Sequence, residues 1–156
     1  NEFGNKKSNY QDRLYLNDGS GTFTKNKSAL PVMDNSSSCI SAADFDRDGQ
    51  LDLFVGGRVV PGDYGQSPKS VLLKNKNGIF EKVTQKVLPS EYLGMVTASL
   101  WTDIDNDGWV DLMVVGEWMP ITIFKNNNGE LSEKIEIILV DGGIVLMVVI
   151  LTMMAI

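Results

Sequence analysis

The chain has 156 residues, a hydrophobic share of 43% and a net charge of −6, with a pI near 4.6. That is enough apolar sequence for a core, and too acidic for a nucleic-acid partner, whose phosphates need clustered Lys and Arg. The absence of His excludes a Ser-His or Cys-His catalytic pair, and a lone Cys39 excludes an internal disulfide.

The chain begins at Asn1 without a signal-peptide pattern and reads as a fragment. Its first clear element is Leu14-Tyr15-Leu16-Asn17-Asp18-Gly19-Ser20-Gly21-Thr22-Phe23: an apolar strand, an Asn/Gly turn, then an aromatic residue. This is a hairpin signature, because Asn and Gly tolerate positive φ. A strand is predicted over Cys39–Phe45, with Cys39 as a small buried residue.

That strand leads into Asp44-Phe45-Asp46-Arg47-Asp48-Gly49-Gln50-Leu51-Asp52. Four carboxylates within nine residues repel one another unless a cation compensates them. Calcium takes about 6–8 oxygen ligands in flexible geometry. The side chains of Asp44, Asp46, Asp48 and Asp52 can converge on one ion, and the Gln50 carbonyl can add an oxygen. Gly49 permits the sharp turn. An EF-hand would need Glu at position 12, where Val55 stands, and flanking helices. A β-rich run, Leu51–Gly56, follows instead. An acidic surface turn holding no metal is the plainer alternative.

Arg58–Lys69, with Pro61, Gly62, Gly65 and Pro68, is a predicted surface loop. The hairpin returns as Ser70–Asn75 with Ile79–Thr84 around Asn77-Gly78, and Gln85–Gly94 is a second loop. A strand over Met95–Ile104 then leads into Asp103-Ile104-Asp105-Asn106-Asp107-Gly108-Trp109-Val110-Asp111, 59 residues after the first loop. Its predicted ligands are Asp103, Asp105, Asp107 and Asp111 with the Trp109 carbonyl; Val114 occupies position 12. Val110–Gly116, Ile121–Asn126 and Glu130–Glu133 complete the unit. Arg58, Tyr64 and Trp118 are candidate contacts for a partner, against ordinary loop and edge packing.

Repetition of a four-stranded unit predicts an all-β chain, a fragment of a β-propeller of about two and a half blades. Residues 1–36 supply a half-blade, 37–94 a blade with the first loop, and 95–134 a blade with the second.

Residues 135–156 do not fit the repeat. A membrane anchor is one reading, but the apolar run from Ile144 to Ile156 is 13 residues, short of the roughly 20 that span a membrane. A buried strand pair is a second reading. A frameshift at about Ser132–Val140 is the third: codons permitted from Asp141 onward can be read, one frame over, as W-W-N-S-I-D-G-G-D-F-D-N-D-G-D. That is a strand and a third Asp loop where the next blade is due. On this reading the tail has no evolved role and is loosely packed.

Loop and hairpin in this order resemble the FG-GAP or VCBS repeat, related to the calcium loops of the integrin α propeller. The run Gly116-Glu117-Trp118-Met119-Pro120 is most similar to bacterial proteins of the ASPIC/UnbV group, relatives of cartilage acidic protein. The resemblance covers roughly residues 1–134. It implies about seven blades in a full propeller, calcium held by the ten loop residues named above, and a secreted or surface-attached location.

The functional expectation is a binding module: a propeller fragment with structural calcium, recognising a protein or glycan at the cell surface. The remaining blades are its covalent partners, and neither a membrane span nor catalysis is expected. A polymer-degrading enzyme and a purely structural spacer are the alternatives. Carboxylates committed to a hard cation stay ionised and are poor proton donors, which disfavours the enzyme.

Overall fold

The computed structural model describes residues 10–33, 36–140 and 143–145. Expectations for the tail at 141–142 and 146–156 lie outside the described residues.

The chain is all-β. Strands β1 (Leu14–Asn17) and β2 (Phe23–Asn26) pair as an antiparallel ribbon. A four-stranded antiparallel sheet follows, in the order β3 (Ser36–Ala43), β4 (Asp52–Val59), β5 (Val71–Lys76), β6 (Ile79–Lys82). A short helix, α1 (Thr84–Val87), leads to β7 (Met95–Thr102), β8 (Asp111–Glu117), β9 (Ile121–Asn127) and β10 (Glu130–Val140). These last four pair in chain order, and β11 (Gly143–Val145) adds to the edge beside β10. The sheets are two blades of a propeller-type array with a half-blade before them.

Alternation along the strands explains how the first blade is buried. Phe54 and Leu72 face the second blade, in a core with Phe45, Leu88, Val96, Leu112, Val114, Phe124 and Leu131. Val55, Val71 and Leu73 point the other way, onto Ala29, Met33 and Phe80. A sheet covered on both faces reads as a continuous apolar run, as β4 and β5 do. Each fully buried Phe or Leu contributes about 2 kcal/mol by leaving water.

Four local expectations change. β4 runs to Val59, so Arg58 belongs to a strand and not to the loop predicted over Arg58–Lys69. Residues 85–94 hold part of α1, whose Thr84 Oγ1 accepts the Leu72 amide at 2.9 Å. Cys39 is half-buried rather than buried, with Sγ 3.6 Å from Ser99 Oγ. The last strand of the second blade runs to Val140 instead of ending near Glu133: past a register shift between Leu131 and Glu133, its backbone goes on pairing with β9 as far as Ile121 opposite Ile137. Among the described residues, no helix is long and apolar enough to cross a membrane.

Candidate metal-binding loops

Each acidic loop joins the first and second strands of its blade. In the first, the Asp44 carboxylate accepts the amides of Asp48 and Gly49 at 3.0 and 2.9 Å. Asp48 Oδ1 accepts the Gln50 amide at 2.9 Å. Arg47 (φ 58°) and Gly49 (φ 86°) make the left-handed turns that fold the loop back on itself. Asp44, Asp46 and Asp48 thereby bring carboxylate oxygens within 4.8 Å of one another. Asp52 stands behind them at the root of β4, fully buried. Its Oδ1 accepts the Asn75 amide at 2.7 Å, while Asp52 Oδ2 and Asp46 Oδ1 are buried without a hydrogen-bond partner. Burial pushes the Asp52 carboxyl up to about 6, and the charges of Asp46 and Asp48 add to the rise.

The second loop repeats this geometry. Asp103 accepts the amides of Asp107 and Gly108 at 3.1 and 2.8 Å. Asn106 (φ 58°) and Gly108 (φ 89°) turn as Arg47 and Gly49 do. Here Asp103, Asp105 and Asp111 are the three that converge within 4.8 Å. Asp111 is buried and accepts the amides of Asn126 and Ile104 at 2.8 and 3.0 Å. Asp107 lies outside that trio and holds the Trp109 amide at 2.8 Å.

Both predicted position-7 residues also tie the loops to their surroundings. Gln50 Oε1 accepts the Asn77 amide of the hairpin at 2.6 Å. The Trp109 ring lies 4.1 Å beneath the Arg47 guanidinium, which donates across the blade boundary to the Gly108 carbonyl.

The sequence reading passed over Lys74 and Lys125. Lys74 Nζ sits on Asp46 Oδ2 and 3.1 Å from Asp48 Oδ2; Lys125 Nζ sits on Asp105 Oδ2 and 3.7 Å from Asp107 Oδ2. The Asp48 carboxyl is held below the usual carboxylate range by the Gln50 amide and then by Lys74. Lys125 does the same to Asp105. The available signal was the pair Lys-Asn, Lys74-Asn75 and Lys125-Asn126, near the end of each third strand.

These donor sets fit a hard divalent cation. They are all oxygen, three carboxylates converge in each, and the first loop leaves two buried oxygens unpartnered. A cation removes the penalty of burying such a charge.

At the opposite end of the blades, Arg58, Tyr64 and Trp118 meet. Glu117 accepts Arg58 Nη2 at 2.7 Å and Tyr64 Oη at 2.6 Å. The Tyr64 and Trp118 rings meet edge to face at 5.4 Å. Trp118 is 74% exposed and held at φ 55°, a left-handed conformation costing a bulky residue about 1 kcal/mol.

Residues 4–55 match the model of the FG-GAP-like repeat family. The match takes in the first hairpin, β3 and the first acidic loop, an order of parts that recurs as the β5–β6 hairpin, β7 and the second acidic loop. No curated protein matches this chain.

Proposed function

We propose that this chain is a calcium-stabilised recognition module of propeller type, acting outside the cell or at its surface. The observation that carries the calcium reading is the first loop: three convergent carboxylates beside a fully buried Asp52 whose Oδ2 has no partner. Magnesium demands near-ideal octahedral geometry and keeps its water, whereas calcium accepts an irregular set of protein oxygens. An ion in either loop clamps the first and second strands of a blade, so its role is structural. The ligands would be Asp44, Asp46, Asp48 and Asp52 with the Gln50 carbonyl, and Asp103, Asp105, Asp107 and Asp111 with the Trp109 carbonyl.

Recognition of a protein or glycan is assigned to the other end, where the Trp118 indole is offered to solvent at a conformational cost. Strain of this kind clusters at functional positions. Calorimetric titration of the folded chain with calcium tests the metal reading. Two bound ions are expected, and Asp46→Ala with Asp48→Ala should remove one and leave the other. Folded protein that takes up no calcium overturns it. A glycan and cell-surface protein panel, with and without calcium, tests recognition; Trp118→Ala should lose whatever the native chain binds.

A further inference from the structure

We infer that Lys74 and Lys125 set the calcium affinity of the two loops: each ammonium holds its loop folded without metal and weakens its grip on the ion. This rests on reading the loops as calcium sites. The placement is repeated. Each lysine stands two residues before the end of the third strand of its blade, directly before the hairpin Asn, and reaches the loop's third position from 28 and 20 residues away, with the fifth position beside it. Two independent blades put the same charge on the same pair of carboxylates.

Charge balance gives the direction of the effect. The four carboxylates of each loop bring −4; the ammonium leaves −3 and calcium then −1, with Arg47 of the first loop set aside because its guanidinium is turned onto Gly108 and Trp109 of the other loop. Ligand charge tunes calcium loops from nanomolar buffers to extracellular modules at about 10⁻⁴–10⁻³ M. A resident cation moves a loop toward the weak end. It also compensates the like charges that would otherwise strain the empty loop. The lysine side chains are only 24% and 28% exposed, so water screens these pairs less than ordinary surface pairs.

The lysine does not replace the ion. Lys74 takes Asp46 Oδ2 and leaves Asp46 Oδ1 and Asp52 Oδ2 without partners. An ammonium supplies charge and at most three N–H donors, and it reaches neither oxygen. Asp46 can keep Lys74 on one oxygen and give the other to a metal.

The test compares the full chain with Lys74→Met, Lys125→Met and, as control, Lys76→Met, whose exposed ammonium pairs with Glu81 and not with a loop carboxylate. Calcium affinity is read by calorimetry, and stability by melting in EDTA. Lys74→Met and Lys125→Met should each tighten one site about tenfold, from the loss of a unit charge near a divalent ion. Each should also lower the EDTA melting temperature by about 3 °C. Lys76→Met should change neither affinity. Lys74→Arg keeps the charge and should keep native affinity, which covers the case of a methionine variant that unfolds in EDTA. Native calcium binding that Lys74→Met leaves unchanged or weaker overturns the inference alone, as does Lys74→Arg with native-like stability and tightened binding. No binding by any of the proteins overturns the calcium reading, and the inference with it.

Discussion

The side-chain amide of Asn126 donates to the main-chain carbonyl of Phe45 at 2.8 Å, across 81 residues and from one blade to the other. The same nitrogen donates to Val110 O at 3.0 Å, Oδ1 accepts the Gly129 amide at 2.8 Å, and the Asn126 amide binds Asp111 Oδ1 at 2.8 Å. One fully buried side chain therefore ties the hairpin of the second blade to its own acidic loop and to the loop before it. Asn126→Ala should cost about 3 kcal/mol, because it strands buried carbonyls. The corresponding Asn75 bonds the Leu51 carbonyl and the Gly78 amide at the surface, and Asn75→Ala should cost about 1 kcal/mol. Urea denaturation of both variants checks the ratio.

Asp52 should make stability depend on pH in the absence of metal. Its folded carboxyl is lifted from 3.8 to about 6, first by burial. Between those values the folded state binds a proton that the unfolded chain does not. Stability in EDTA should therefore rise as pH falls from about 7 to 5, and be lost again as pH climbs through 6. Asp52→Asn should flatten this rise, and saturating calcium should abolish it. Melting curves across that range, in EDTA and in calcium, decide the point. A native protein whose melting temperature in EDTA falls steadily from pH 7 to 5 contradicts it.

Glycines divide into those that turn the chain and those that admit a neighbour. A Cβ on Gly116 would lie 2.2 Å from the Met95 carbonyl and 2.6 Å from Met119 Sδ. One on Gly62, at φ +81°, meets nothing within 4 Å. Gly116→Ala should cost about 3 kcal/mol, since backbone must move. Gly62→Ala should cost about 1 kcal/mol, from conformation alone. Chemical denaturation distinguishes the two.

Trp118 offers a separation of stability from recognition. Trp118→Gly relieves the positive φ and gives up the edge contact with Tyr64. Stability should stay within about 1 kcal/mol of the native chain, while binding to any partner found on the panel is lost. A large loss of stability would mean that the indole is there for packing.

Most strands, though not all their ends, and the turns of both acidic loops were legible in the sequence. Each is encoded within a few residues: apolar runs of strand length, Asn-Gly pairs at the hairpin turns, and the spacing Asp-x-Asp-x-Asp-Gly-x-x-Asp. The left-handed turns at Arg47 and Gly49, and at Asn106 and Gly108, follow from that local pattern. The sequence also marked Arg58, Tyr64 and Trp118 as candidate contacts, without showing that they meet or that Glu117 joins two of them.

Only the tertiary structure decided which groups compensate the loops. Lys74 and Lys125 belong to a different strand from the carboxylates they meet, and Asn126 reaches Phe45 from another blade. Which carboxylates gather was likewise a matter of packing. Asp111 joins the second trio while Asp52 stays behind the first, although both occupy the ninth position. The physical reason is range. Backbone conformation responds to neighbours a few residues away, whereas the partner of a buried charge is set by how whole sheets stack, and no local pattern carries that register.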